Sequence, residues 1–182
     1  MKGIGLQFTS RESRIEEELQ PLSTPVHGQP GALAISIACM KADDVGQRVK
    51  GRALIIAADT IVVLGNRIIG KPSGRKDAEK ILGLLSGKTH RVITGVCILK
   101  IPEHSRVTFS VTTEVTMLRM SDRDIRWYIK TGEPLDKAGA YGIQGIGGVF
   151  VKKIQGSYTN VVGLPLPELL MALKKIGAIE IG

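Results

Sequence analysis

Residues 53–64 read Ala-Leu-Ile-Ile-Ala-Ala-Asp-Thr-Ile-Val-Val-Leu, an apolar and β-branched run broken only by Asp59 and Thr60. Such a run predicts a buried strand. An unpaired carboxylate buried within it would cost several kcal/mol. Asp59 is therefore either satisfied by a structural partner or placed at the strand's carboxyl end, where α/β sheets present their ligands. Taken alone, the residue leaves both readings open, and its neighbours have to decide.

The pattern around this run interleaves helices and strands. Gly31 to Ala42 predicts a helix ending near Asp43 and Asp44. Gly65-Asn66 predicts a two-residue hairpin leading into a short strand at Arg67 to Ile69. Ala78, Ile81, Leu82 and Leu85 share one helical face between Arg75 and Leu85, and Gly87 follows as a stop. His90 to Lys100 and Arg106 to Leu118 predict strands joined around Pro102. Ser121 with Asp124 predicts a capping box and a helix through Ile129. Tyr141 to Val151 reads as a glycine-punctuated strand, Val161-Val162 as a short strand, and Leu166 to Ile176 as a closing helix. The expected class is α/β, a mixed twisted sheet flanked by helices in one domain spanning residues 1–182.

Composition narrows the setting. With 43% hydrophobic and 23% charged residues, the chain is globular in character rather than disordered. No apolar run approaches the roughly 20 residues that cross a bilayer, and no signal-peptide segment opens the chain. Cys39 and Cys97 lie far apart in apolar stretches, which predicts buried, reduced thiols and a cytosolic protein. The net charge of +8 calls for an anionic partner without naming it. Aromatic content of 4% and scattered basic residues argue against a single-strand nucleic-acid surface. A small polyphosphate needs positive charge just as much, and a merely solvated basic surface remains the plain alternative.

Two further motifs favour a phosphate ligand. Gly65 to Lys71 fits the opening of a P-loop, but Pro72 stands where a Ser/Thr hydroxyl must bind Mg²⁺ and supplies no N–H. What survives is Lys71 just after a short strand, a point charge suited to phosphate. Gly139 to Gly148 is glycine-rich without the dinucleotide spacing, so a bulged hairpin is its structural reading. Gln144 in its middle offers a primary amide, donor and acceptor both, suited to a nucleobase edge. Ser10 to Arg14 reads as a polar turn. His27, His90 and His104 have no metal-ligand spacing, which argues against zinc, and no nucleophile motif is present. Water is the expected attacking group.

Several blocks in order resemble the Maf family of nucleoside triphosphate pyrophosphatases. They are Ala-Ala-Asp-Thr-Ile-Val-Val (57–63), Gly-Lys-Pro (70–72) and Leu-Ser-Gly-Lys-Thr-His-Arg-Val (85–92). Then come Glu-Pro-Leu-Asp-Lys-Ala-Gly-Ala-Tyr-Gly-Ile-Gln-Gly (133–145) and Gly-Ser-Tyr-Thr-Asn-Val-Val-Gly-Leu-Pro-Leu (156–166). The resemblance implies a Maf/ITPase-like fold and hydrolysis of a nucleoside triphosphate to the monophosphate and pyrophosphate, with Mg²⁺ or Mn²⁺. On that footing Asp59 matches the general base. Lys41 and Lys71 match lysines that neutralise phosphates, and Glu17 matches an acidic position that, with Asp59, holds metal or water. Thr60 and Gln144 match positions tied to base choice, and the Gln144 form resembles the dTTP/UTP branch. A homodimer is the family default.

One departure from the family carries its own expectation. Family members open with a strand and a Ser-x-Ser-Pro-Arg-Arg loop that grips the triphosphate, whereas Gly5 to Phe8 aligns with sequence beyond that loop. Loss of several charge-assisted contacts, each worth roughly 1.5–3 kcal/mol, would weaken activity. It would also leave a sheet position vacant, exposing an edge or an apolar groove. The leading reading is a dTTP/UTP pyrophosphatase. Its rival is a nucleotide- or nucleic-acid-binding regulator that keeps the pocket without turnover. Nonspecific nucleic-acid binding through the basic surface ranks last.

Overall fold

The apolar runs become the long central strands of one sheet. The computed structural model describes residues 7–15, 24–25 and 28–179, so Glu17 lies outside the described residues. The strands are β1 (Thr24–Pro25), β2 (Ala53–Leu64), β3 (Arg67–Ile69), β4 (Thr89–Ile101), β5 (Ser105–Met117) and β6 (Val151–Gln155). Their order across the sheet is β1-β3-β2-β4-β5-β6, and each described ladder is antiparallel. The β2–β4 ladder runs from Ala53↔Ile101 to Val63↔Arg91 and sets Asp59 opposite Gly95 and Thr60 opposite Thr94. Helices cover both faces, as the α/β class requires.

Side-chain alternation along β2 divides the core. On one face, alone among the described helices, lies α1 (Pro30–Gly46), packed on Ile61, Val63, Ile93, Cys97 and Leu99. The other face carries α2 (Arg75–Leu85), α3 (Asp122–Lys130), α4 (Tyr158–Val162) and α5 (Leu166–Lys175). There Val62, Val92, Val115 and Met117 meet α2 and α3, while Val96 and Ile98 meet Leu169 and Leu173 of α5. The predicted face of α2 is the buried one, since Ala78, Ile81, Leu82 and Leu85 are all solvent-free. The capping box of α3 forms through Ser121 and Asp124, each bonding the other's backbone amide.

The packing of α1 is unusually close. Its buried residues are Ala34, Ile37, Ala38, Ala42 and Gly46, four of them small and one turn apart, while the larger Leu33 and Met40 face solvent. The stripe crosses β4 at Gly95, where an added Cβ would lie 2.2 Å from the Ala34 carbonyl carbon. Real Cβ atoms do not approach a backbone that closely, so glycine is dictated there by contact rather than by φ. Helix and sheet backbones touch because neither side contributes a side chain.

Three expectations need correction. Asp59 does not end its strand: β2 continues through Leu64, and Asp59 sits within it. Residues 141–150 are not strand but loop and 3-10 turn, with β6 starting only at Val151. The amides of Gly142, Ile146 and Gly147 are taken by side chains, and those of Gly145 and Gly148 by carbonyls within the loop, rather than by a neighbouring strand. Val161-Val162 is the last turn of α4, not strand. The Ser157 hydroxyl caps the Asn160 amide and Gly163 closes the turn at φ +114°, and these caps override the β-branched preference.

Because α1 lies directly on Gly95, Gly95→Ala forces helix and sheet apart and should destabilise the protein by about 3 kcal/mol or more. Gly83→Ala, in α2 where nothing lies within 4 Å of a new Cβ, should instead stabilise it by about 0.5–1 kcal/mol. Urea midpoints of the two variants check the contrast, and equal effects would refute the close-packing account.

Candidate active site

Two turns beyond the Gly95 contact, α1 delivers Lys41 to the sheet. Its Nζ lies 2.7 Å from Asp59 Oδ1, with the aspartate side chain 3% exposed and the lysine 18%. The structural half of the original question is thereby answered: the buried carboxylate has a cationic partner. An ion pair this desolvated is strongly destabilised by removal of either member, and it contributes little net stability when intact. It is therefore better explained by chemistry than by folding.

The pair stands at the wall of a cleft of about 550 Å³. On its β3 side, β2 is hydrogen-bonded only from Val62 to Leu64 among the described residues, leaving the edge beside Asp59 and Thr60 without a strand. The cleft opens across that edge and draws residues from both faces of the sheet. Lys41 and Asp59 come from the α1 face, and Thr60, Val62, Val92, Tyr141 and Val161 from the other. Lys71, two residues beyond the end of β3, reaches the same cleft, and so does Gln144. Asp59, Lys41, Thr60, Lys71 and Gln144 are thus brought together. Gly65 and Gly70 flank strand β3 rather than forming a phosphate cradle, consistent with rejecting the P-loop.

Behind Thr60 is a buried polar network. Thr60 Oγ1 lies 2.9 Å from Thr94 Oγ1, and the Thr94 hydroxyl donates to the Asn160 carbonyl at 3.1 Å. Asn160 is itself fixed, its side-chain amide donating to the Val92 carbonyl at 3.0 Å and to Thr113 Oγ1 at 2.9 Å. Thr94, Thr113 and Asn160 are all solvent-free. The network holds the rotamer of Thr60, a residue that lines the cleft.

The glycine block is organised by Glu133. This carboxylate accepts from the Tyr128 hydroxyl at 2.7 Å, the Gly147 amide at 2.9 Å and the Ile146 amide at 2.8 Å. Tyr128 Oη also accepts the Gly142 amide at 3.0 Å. Burial raises the Glu133 carboxyl, but the tyrosine hydroxyl and the two amides outweigh it and hold the group below the usual carboxylate range. A Cβ on Gly145 would lie 2.2 Å from Glu133 Oε2, and one on Gly147 equally close to Tyr128 Oη. The glycines are therefore there so that backbone can wrap a carboxylate and a phenol, carrying Gln144 into the cleft. The Gly139 amide ties the block to the Gly70 carbonyl, beside Lys71, at 3.1 Å.

Sequence reasoning missed several residues of this cleft. Glu133, Lys137 and Tyr141 line it, and Thr94 and Asn160 support it. Lys137 binds Asp136 at 2.7 Å, and with Lys71 nearby it keeps the Asp136 carboxyl below its ordinary value. Tyr141 meets His90, Nε2 to Oη 2.9 Å, and both are buried. Most of these residues fall inside the blocks compared above, but no local spacing shows which side chains face the cleft. Among the described residues no group of three or more His, Cys, Asp and Glu could cage a metal. Of the two carboxylates expected to hold a metal, Asp59 lies at the cleft and Glu17 lies outside the described residues.

The open edge continues beyond the cleft. A second hollow, of about 830 Å³, runs along Ala53 to Ala58 and is lined by Phe8, Leu54, Ile56, Leu173 and Ile179 among others. Cys97 is buried against Cys39, and burial pushes its thiol up to about 12, so it is unreactive. No helix among the described residues is long and apolar enough to cross a membrane.

The chain is also similar in sequence to known proteins. A family model described as Maf-like protein matches residues 1–176. A protein of Clostridium botulinum (strain Eklund 17B / Type B) named dTTP/UTP pyrophosphatase is 51% identical over 140 residues, 77% of this chain and 74% of its own length. One of the same name from Syntrophotalea carbinolica is 44% identical over 183 residues, covering 100% of this chain and 80% of its own. Another, from Thermococcus gammatolerans, is 48% identical over 150 residues, 82% of this chain and 78% of its own.

The buried His90 gives the fold a pH signature. Desolvation lowers its pKa from 6.5 to about 4, so it is neutral in the native state at pH 7. Its contribution is complete above pH 6.5, where folded and unfolded chains are both neutral, and is lost as the pH falls towards 4 while only the unfolded chain binds the proton. That loss amounts to roughly 3 kcal/mol. Denaturation at pH 7 and pH 4.5 should show the wild type losing more stability than His90→Gln. Identical losses would contradict the assignment.

Proposed function

The chain belongs to the Maf family, and on that premise we propose that it is a nucleoside triphosphate pyrophosphatase acting on dTTP and UTP. The observation that carries the proposal is the convergence of the Lys41–Asp59 pair, Lys71, Thr60 and Gln144 on one cleft. Cations and a carboxylate stand beside an apolar wall that has hydrogen-bonding groups at its edge, which suits a triphosphate at one end and a base at the other. Relatives named for dTTP and UTP support the choice of pyrimidine.

In this proposal a water molecule attacks the α-phosphorus. The bond from that phosphorus to the oxygen bridging it to the β-phosphate breaks, and pyrophosphate departs. Asp59 takes the proton from the attacking water, which requires the water within hydrogen-bond reach of its carboxylate. Lys41 has three N–H donors, enough to hold Asp59 in place and also to donate to a phosphate oxygen. Lys71 and Lys137 offset the remaining negative charge from the far wall. A divalent cation held by Asp59, together with Glu17, would neutralise phosphate charge and polarise the phosphate oxygens. Val62, Val92 and Tyr141 exclude water from the base.

Pyrophosphate release from UTP and dTTP with Mg²⁺ tests the activity directly. Asp59→Asn should lower kcat by about 10²–10⁴-fold while retaining affinity for a non-hydrolysable UTP analogue. Wild-type turnover in that variant would remove Asp59 from its role. Binding of both nucleotides by the wild type without any pyrophosphate release would establish the regulator reading instead.

A further inference from the structure

The loop that carries Gln144 is exposed at its crest, residues 144–146, yet its flanks are tied to the body of the protein by two side chains. The Gly142 amide donates to Tyr128 Oη at 3.0 Å, and the Ile146 and Gly147 amides donate to the Glu133 carboxylate at 2.8 and 2.9 Å. Tyr128 joins the two ties, because its hydroxyl donates to Glu133 Oε1 at 2.7 Å while accepting from Gly142. One hydroxyl and one carboxylate thus gather the start and the end of the loop at a single node. Tyr128 is itself solvent-free and does not line the cleft, and its ring packs on Phe150 with centroids 5.4 Å apart.

The node needs a carboxylate. Glu133 lines a cleft whose lysines suit an anionic ligand, so its negative charge there does not serve attraction. The three donors that converge on it explain it, since hydrogen bonds to an ionised acceptor are the strong kind. Glutamine has the same length but one acceptor oxygen. Its NH2 would meet the Ile146 amide at one position, or displace the acceptor shared by Tyr128 and Gly147 at the other. Lys137 adds a positive charge beside the same carboxylate.

We propose that Tyr128 is a positioning residue for nucleotide binding: through the Glu133 carboxylate and the Gly142 amide, it holds the loop of residues 142–147 in its ligand-receiving form before the ligand arrives. The loop touches the ligand and Tyr128 does not. A contact made alike in the bound substrate and in the transition state lowers KM without raising kcat. Loss of the hydroxyl therefore weakens binding and leaves the chemistry at Asp59 as it was. The kinetic part of the inference rests on the pyrophosphatase reading above, whereas the state of the loop does not.

Tyr128→Phe deletes the hydroxyl and keeps the ring. With UTP and Mg²⁺, its KM should rise by about tenfold or more while kcat stays within about twofold of wild type, and its Kd for a non-hydrolysable UTP analogue should rise by the same factor. Hydrogen exchange should quicken by about tenfold or more at the Gly142, Ile146 and Gly147 amides and stay unchanged in the β2–β4 ladder. A merely structural role would reduce the active fraction, lowering kcat at constant KM, and that result overturns the proposal. Glu133→Gln should reproduce the Tyr128→Phe pattern, and wild-type KM in that variant also overturns it. Where neither variant folds, exchange in the wild type decides. Protection of the Gly142 and Ile146 amides by about a hundredfold or more supports the node, and exchange at the rate of an unstructured chain overturns it. Absence of turnover with UTP by the wild type would count against the pyrophosphatase reading, while the binding and exchange arms would still test the role of Tyr128.

Discussion

The close approach of α1 to the sheet at Gly95 is the constraint on which the site depends. Helix and strand normally keep about 10 Å between their axes because side chains fill the gap. Here an alanine stripe on α1 and a glycine in β4 remove that filling, and the helix backbone rests on the strand. Lys41 follows Ala34 by two turns, on the same side of the helix as the stripe's neighbours, and its stem descends to Asp59. With ordinary apolar residues at these positions, α1 would ride higher and the ion pair would open. The small residues contribute little burial of their own, so their selection makes sense only through the distance they set.

That distance makes a buried charge tolerable and the open edge of β2 makes it useful. A carboxylate paired with lysine in a closed core would be a stability liability with no return. At an edge that no strand among the described residues covers, the same pair adjoins a space that a ligand can enter. The rest of the cleft is arranged to keep that space defined. Glu133 gathers the amides of residues 146 and 147, Tyr128 takes that of Gly142, and the Gly139 amide binds the Gly70 carbonyl, so a loop without regular structure is held as firmly as a strand. Rigid placement of polar groups before the ligand arrives is what gives a site electrostatic leverage.

Much of the fold was legible in the sequence, and the limits have physical causes. The spans of β2, β3 and α2 follow directly from apolar periodicity bounded by Gly-Asn and glycine stops. The capping box at Ser121 was readable because its two partners are three residues apart. The glycine block misled, because its conformation answers to Glu133 and Tyr128, which are remote in sequence, and not to local propensity. Val161 and Val162 misled for the opposite reason: a local cap at Ser157 was stronger than their β preference. On α1 the helix was legible, but not that Ala34, Ala38, Ala42 and Gly46 would face the sheet. For the site, Asp59 stood out because charge in an apolar run is costly, and Lys71 and Gln144 because of their settings. Thr94, Asn160 and Glu133 gave no such signal, since a buried polar residue announces itself only through the partners it finds in three dimensions.

The adjacency of Asp59 and Thr60 carries a consequence for how such a site is built. Side chains alternate along a strand, so these neighbours face opposite sides of the sheet, one toward α1 and one toward α4. Chemistry on one face and recognition on the other can serve a single ligand only where the strand has a free edge for the ligand to straddle. The long β2–β4 ladder fixes the register that sets Asp59 against Gly95 and Thr60 against Thr94. A slip of one residue would turn the carboxylate toward the Thr94–Asn160 network and the hydroxyl toward Lys41, breaking both arrangements at once. The extended ladder, the glycine beneath α1 and the buried relay behind Thr60 are thus one device: they hold two adjacent side chains in a register where each meets its own partner.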